Sequence, residues 1–103
     1  MAKKAETLFQ EKVEKYLSLK GAFWIKYWGG GIYSRAGMPD LMCCVKGHFL
    51  ALELKTPEGK ASELQKYNID KIRKAGGIGL FLRPEDFEEF KRKIENLRSD
   101  FDE

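Results

Sequence analysis

Three side chains between Gly37 and Lys55 have the chemistry of a metal-dependent hydrolytic site: the carboxylates of Asp40 and Glu53, and the ammonium of Lys55. Mg²⁺ prefers oxygen ligands and is held in proteins by one or two carboxylates. Such an ion polarises a phosphate and activates water, and a nearby ammonium positions that water or stabilises developing charge. These residue types therefore predict phosphodiester hydrolysis, provided that the fold brings the three side chains together.

The pattern around these residues predicts a β-hairpin that brings the carboxylates together. Two short apolar runs, Leu41–Val45 and Phe49–Leu54, flank a Lys-Gly pair at 46–47, and glycine suits a tight two-residue turn. In that register Asp40 faces Glu53. Opposed Cβ atoms lie roughly 4.5–5.5 Å apart, where like charges repel. A cation between the two carboxylates would remove that repulsion.

The alternation of side chains along the second strand extends the argument to the lysine. Lys55 shares a face with Glu53, whereas Leu50, Leu52 and Leu54 point to the opposite face. The leucines suit burial under a helix. We expect the face that carries Glu53 and Lys55 to open onto a cleft.

Each of these features alone also has an ordinary structural explanation. Asp40 after Pro39 could cap a turn, and Glu53 with Lys55 could be a solvated pair on an exposed sheet. Other metal sites are poorly supported, because the chain has one histidine and its two cysteines are adjacent, at positions 43 and 44. The combination of the three residues in one register favours the catalytic interpretation.

Hydrophobic periodicity predicts the elements around this hairpin. A helix over Ala5–Leu19 has one apolar stripe, and a strand over Ala22–Trp28 alternates. An irregular glycine-rich segment, 29–39, leads to the hairpin. A helix over Ser62–Ala75, a strand over Ile78–Leu82 and a helix from Pro84 follow. The order αβββαβα, with a right-handed crossover after the hairpin, predicts an α/β fold with a mixed sheet flanked by helices.

The periodicity also assigns the core-facing residues of each helix. The expected inward positions are Leu8, Phe9, Val13, Tyr16 and Leu17 in the first helix, Leu64, Tyr67 and Ile72 in the second, and Phe87, Phe90, Ile94 and Leu97 in the last.

The length and composition are those of one globular domain over residues 1–103, with residues 99–103 as a frayed tail. No apolar run approaches the ~20 residues of a membrane span, and the first residues lack the apolar stretch of a signal peptide. We therefore expect a cytoplasmic protein without membrane contact. The net charge is +3, but residues 84–103 carry −4, which leaves +7 on residues 1–83, as phosphate binding requires.

Several motifs resemble a known nuclease group. Pro39-Asp40 followed by Glu53-Leu54-Lys55 matches the PD-(D/E)XK nuclease signature. The flanking stretches "GMPDLM", "ELKTPEGKASELQ" and "KAGG" resemble the virus-type replication-repair nuclease (VRR-NUC) branch. The resemblance extends from about Glu6 to about Phe87 and implies a restriction-endonuclease-like α/β core.

The resemblance also implies roles for individual residues. Asp40, Glu53 and the backbone carbonyl of Leu54 would hold Mg²⁺ or Mn²⁺, and Lys55 would position or activate the attacking water. Gln65 would contact phosphate or water, although it could equally be a solvated helix residue. Glu6 resembles an acidic residue near the metal in related nucleases, with Glu11 and Glu14 as competitors.

The implied function is an endonuclease that leaves a 5′-phosphate and resolves branched DNA, especially four-way junctions, as a homodimer without a small-molecule substrate. A simple duplex or flap endonuclease and a non-catalytic nucleic-acid-binding module are the alternatives. Three further groups are candidates for contacts. Phosphate could be contacted by Lys26, Arg35, Lys60 and Lys66, although each could equally be an ordinary surface charge. Unpaired bases could stack on Trp24, Tyr27, Trp28 and Tyr33, of which at least two are more simply core residues. The apolar surface expected at an interface is drawn from Trp24, Trp28, Phe90 and Phe101, without a choice among them.

Overall fold

The computed structural model of the chain describes residues 4–27 and 36–99. The helices are α1 (Ala5–Leu19), α2 (Glu63–Lys74) and α3 (Phe87–Asn96), and the strands are β1 (Phe23–Lys26), β2 (Leu41–Val45), β3 (His48–Leu54) and β4 (Ile78–Leu82). One turn of 3₁₀ helix, Pro84–Asp86, precedes α3. The predicted element order is confirmed, and most boundaries agree to within one or two residues.

Some predicted features cannot be placed. Trp28, Tyr33, Arg35 and Phe101 lie outside the described residues, as do most of the segment 29–39 and all but Ser99 of the tail 99–103. The roles assigned to these residues therefore stay predictions.

The four strands form one mixed sheet in the order β1-β2-β3-β4. The pairs β1–β2 and β2–β3 are antiparallel, and β4 returns parallel to β3 after the α2 crossover. The hairpin has the predicted register, with Leu41 opposite Leu52 and Val45 opposite His48. Lys46 and Gly47 both have positive φ, 53° and 85°, which is the turn geometry whose twist matches that of paired strands.

The core lies on one face of the sheet, beneath α1 and α3. Leu50, Leu52 and Leu54 of β3 are buried there, as predicted. The helices contribute Phe9, Val13, Tyr16 and Leu17 from α1 and Phe87, Phe90 and Ile94 from α3. Leu8 was also expected inside, but it is 53% exposed because its position is at the edge of the α1 stripe, about 100° from Phe9.

The second face of the sheet is only half covered. α2 crosses β3 and β4, where Ile69 packs so closely on Gly79 that a Cβ there would lie 2.9 Å from the Ile69 Cγ2. Two residues predicted to point inward from α2 are exposed, Leu64 by 46% and Tyr67 by 57%, and Ile69 is buried instead. α2 is therefore rotated relative to the predicted helix face. None of the described helices is both long and apolar enough to span a membrane.

Candidate active site

Asp40 lies at the edge of the sheet where β1 and β3 end and β2 begins. It directly precedes β2, and its Oδ2 accepts a hydrogen bond of 2.8 Å from the backbone N–H of Leu54 in β3. Its backbone carbonyl accepts a 2.9 Å hydrogen bond from the N–H of Tyr27, the residue that directly follows β1. Three strand ends thus hold the first acidic residue of the predicted pair.

Glu53 lies beside Asp40 but is far more enclosed than the sequence predicted. Its exposed fraction is 3%, because α2 covers the sheet face on which a cleft was expected. Its Oε2 accepts a 3.1 Å hydrogen bond from Nε2 of Gln65, whereas its Oε1 is buried without a hydrogen-bond partner among the described residues. A buried carboxylate oxygen without a partner is energetically costly, and a cation bound there would remove that cost.

In the absence of a ligand, the surroundings of Glu53 disfavour loss of its carboxyl proton. Burial, and after it the charge and hydrogen bonding of the neighbouring Asp40, together raise the pKa of the Glu53 carboxyl to about 8. Lys55 opposes this shift, and Glu6 adds a small contribution in the same direction as Asp40. The two carboxylates therefore lie close enough for Asp40 to act on the pKa of Glu53.

Lys55 is held by a hydrogen bond to α2 and by a longer ion pair with Glu53. Its Nζ donates a 2.8 Å hydrogen bond to Oε1 of Gln65, and it lies 3.8 Å from Oε2 of Glu53. The lysine side chain is 14% exposed, so the ammonium sits at the rim of the buried carboxylate. Gln65 thus lies between the lysine and Glu53 and contacts both.

Gln65 belongs to a capping box at the start of α2. Ser62 is the N-cap; its Oγ accepts from the Gln65 N–H at 3.1 Å, and its own N–H donates to Gln65 Oε1 at 2.9 Å. The pattern Ser-x-x-Gln is visible in the sequence as a helix start. Sequence reasoning noticed Gln65 but missed Ser62, whose connection to Lys55 depends on tertiary contacts.

The donor set fits a divalent metal ion. Asp40 and Glu53 supply two carboxylates, and the unpartnered Glu53 oxygen is the kind of buried acceptor that a cation satisfies. Within the described ranges, the two carboxylates are not joined by a third His, Cys, Asp or Glu side chain in an arrangement that could hold a metal. Glu6 therefore influences Glu53 electrostatically without joining it in such a group.

The structure places the remaining candidates around this centre. Lys60 and Lys66 are exposed, and Lys66 forms an ion pair of 3.4 Å with Glu63. Lys26 and Tyr27 are half-buried, and the indole N–H of Trp24 donates to Ser18 Oγ at 2.8 Å. None of these contacts assigns the residues to nucleic acid, so their roles stay predictions.

A second contact from α2 was missed by sequence reasoning. Asn68 Nδ2 donates a 2.9 Å hydrogen bond to the backbone carbonyl of Gly37, three residues before Asp40. Gly37 has φ +75°, and a Cβ there would lie 2.6 Å from Leu64 Cγ. The glycine of "GMPD" is therefore required by both its backbone conformation and its packing on α2.

Comparisons with known proteins identify the fold. No family model matches the sequence, and a search of curated proteins finds no match. A solved structure described as a VRR_NUC domain is 23% identical, covers 88% of this chain and 95% of its own, and superposes with a TM-score of 0.66. The chain therefore has the fold of a VRR_NUC domain, which confirms the predicted restriction-endonuclease-like α/β architecture.

Proposed function

We propose that this protein is a metal-dependent DNA endonuclease. The observation that carries the proposal is the buried Glu53 carboxylate, which lies against Asp40 and is linked through Gln65 to Lys55, and one oxygen of which has no hydrogen-bond partner in residues 4–27 and 36–99. Two adjacent acids and a lysine are what metal-assisted phosphodiester hydrolysis needs. The likeness of the fold to a VRR_NUC domain supports the same proposal.

Asp40, Glu53 and the Leu54 carbonyl would hold Mg²⁺ or Mn²⁺. Such an ion, when bound, polarises the scissile phosphate and favours ionisation of water. Asp40 has one oxygen engaged with the Leu54 N–H, which fixes the orientation of the carboxylate relative to Glu53. A backbone N–H would thus orient the Asp40 ligand, and the side-chain amide of Gln65 would orient Glu53.

Lys55 and Gln65 would act on the attacking water and the phosphate. The ammonium carries a fixed positive charge at the rim of the site, where it can orient water or stabilise negative charge on the phosphate. Gln65 keeps that ammonium 3.8 Å from Glu53, close enough for attraction but not for a tight ion pair. The group therefore stays available to the substrate.

The proposed substrate is branched DNA, cut symmetrically by a homodimer to leave 5′-phosphates. Two symmetric cuts need two sites, and one chain supplies one. Of the apolar residues expected at the interface, Phe90 is buried in the core, and Trp24 is half-buried. Other large apolar side chains are exposed, including Phe23, Ile25 and Phe49 on the half of the sheet that α2 leaves uncovered.

The test is cleavage of a labelled four-way junction and of linear duplex and flap substrates of matched sequence. Each is incubated with Mg²⁺, with Mn²⁺ and with EDTA, and the oligomeric state is measured by light scattering with and without the junction. We expect metal-dependent paired cuts in the junction and a dimer mass. Binding without cleavage in either metal would favour the binding-module alternative, and cleavage of all substrates by a monomer would favour a simple duplex or flap nuclease.

A further inference from the structure

We infer that Ser62 is a positioning residue, whose backbone N–H orients the Gln65 side-chain amide and thereby places the Lys55 ammonium. The inference rests on the proposed function for the meaning of that placement. The observation behind the inference is that one atom, Oε1 of Gln65, accepts two hydrogen bonds. Oε1 of Gln65 accepts from the Ser62 N–H at 2.9 Å and from Lys55 Nζ at 2.8 Å.

The two ends of the Gln65 amide are not interchangeable. Its Nε2 only donates and its Oε1 only accepts, and Lys55 can only donate. The orientation observed places Nε2 on Glu53 Oε2 at 3.1 Å and Oε1 on the lysine. A rotated amide would set its NH₂ group against the ammonium. Besides Glu53 and Lys55, the Ser62 N–H is the third group that holds the Gln65 amide in this orientation.

The Ser62 N–H suits this task because it belongs to the backbone. It has no rotamers, and it is anchored at the N-cap of α2, where the Ser62 hydroxyl accepts from the Gln65 N–H at 3.1 Å. A capping box ordinarily stabilises a helix end. Here both acceptor positions of the Gln65 carbonyl oxygen are used, one for the helix end and one for Lys55. The helix start and the site therefore share a hydrogen-bond acceptor.

Loss of this constraint has a defined consequence for Lys55. The lysine has a flexible four-carbon stem, and its Nζ already lies 3.8 Å from Glu53 Oε2. With a loosened Gln65 acceptor, the ammonium can close that gap and pair directly with the carboxylate. The cation is then engaged when the substrate is bound, so kcat falls while KM changes little.

The backbone of Ser62 allows the N–H to be removed selectively. Its φ is −73° and its ψ is 162°, values that proline adopts without strain. Ser62→Pro removes the hydroxyl and the N–H, whereas Ser62→Ala removes the hydroxyl alone. The difference between the two variants isolates the N–H. Gly76→Ala is the matched control, because it strains the other end of α2, at φ +98°, with no neighbouring atom within 4 Å.

The experiment compares kcat and KM for DNA cleavage in the wild type and the three variants. We expect Ser62→Pro to lower kcat about fivefold to tenfold relative to Ser62→Ala, because the loss of one hydrogen bond that positions Gln65 weakens the placement of Lys55 by an amount of that order. We expect Gly76→Ala to lower the melting temperature without changing kcat. Equal kcat values for Ser62→Pro and Ser62→Ala would overturn the inference. A fall in kcat in Gly76→Ala as large as that in Ser62→Pro would also overturn it.

An activity-independent measurement separates this inference from the proposed function. The side-chain amide protons of Gln65 are followed by NMR, and we expect their signals to move in Ser62→Pro but to stay near wild-type positions in Gly76→Ala. If wild-type protein cleaves no DNA, the proposed function fails while this result still decides the placement of Gln65. If Ser62→Pro does not fold, hydrogen exchange decides: the Ser62 N–H must be protected in the wild type and lose that protection in Gln65→Ala.

Discussion

The N–H of Leu54 donates to Oδ2 of Asp40 over 2.8 Å, so the backbone of one hairpin strand holds the carboxylate that precedes the other. This bond leaves the second Asp40 oxygen for another partner and fixes the acid next to Glu53, whose pKa it raises. The acidic pair is thus a consequence of the hairpin register, and in the metal-free protein the two carboxylates repel each other once Glu53 loses its proton.

Removal of any of the three signature side chains is expected to abolish cleavage. Asp40→Asn, Glu53→Gln and Lys55→Ala should each reduce the rate at least about a hundredfold, because one electrostatic contact in a transition state is worth that much. Circular dichroism and DNA binding should stay near wild type. Asp70→Asn, which changes an exposed carboxylate paired with Lys74, is the control and should cleave normally. If one of these three variants cleaves at a near wild-type rate, the role assigned to that residue is wrong.

The metal-free protein is expected to lose stability as pH rises. Burial and Asp40 raise the pKa of Glu53 from 4.5 to about 8, so the folded state binds this proton more tightly than the unfolded state. The resulting stabilisation is complete below the unfolded pKa and disappears as pH passes through the folded pKa. Melting temperatures in EDTA should fall by several degrees between pH 5 and 8. Glu53→Gln should remove most of this slope; an unchanged slope would contradict the raised pKa.

Charge neutralisation is expected to stabilise the metal-free fold at high pH. At pH 8.5 in EDTA, Asp40→Asn and Glu53→Gln should melt above wild type, because each removes the repulsion between two adjacent carboxylates. Both amide side chains retain an oxygen that can accept the existing bonds from Leu54 N–H or Gln65. A lower melting temperature in both variants would count against the adjacency of the two acids.

Divalent metal is expected to replace the proton at this site. Mg²⁺ or Mn²⁺ should raise the melting temperature of wild-type protein more at pH 8 than at pH 5, since the metal and the Glu53 proton compete for the same oxygens. EDTA should reverse the effect. Glu53→Gln should show little metal-dependent stabilisation at either pH, and a full response in that variant would place the metal elsewhere.

Lys46 is expected to stabilise the fold far from the site. Its Nζ donates to the backbone carbonyls of Ile94, Glu95 and Leu97 at 3.0, 3.2 and 3.3 Å, which caps the end of α3. Lys46→Met keeps the aliphatic stem and should cost about 1 kcal/mol, or about 4–8 °C in melting temperature. Lys46→Asn tests turn strain at φ 53°, because Asn tolerates positive φ. A more stable Lys46→Asn would show that strain outweighs the cap.

The amino-acid pattern was sufficient to predict the hairpin and the two acidic residues that it brings together. Alternation within two short strands and a two-residue turn are local features, so they set the pairing of Leu41 with Leu52 and the adjacency of Asp40 and Glu53. The same holds for the stripes of α1 and α3, where Phe9, Val13, Phe90 and Ile94 are buried as the 3.6-residue period predicts. These features depend on residues close together in the chain, so they could be predicted without knowing how distant elements pack.

The face of α2 that packs on the sheet could be seen only in the folded chain. Apolar periodicity favoured Leu64 and Tyr67, but the helix turns Gln65 and Ile69 inward and leaves the other two half exposed. The physical reason is the buried Glu53: a carboxylate without hydrogen bonds in the interior costs more free energy than two partly exposed apolar side chains. That demand arises only after the strands have assembled, so the pattern of α2 alone could not reveal it.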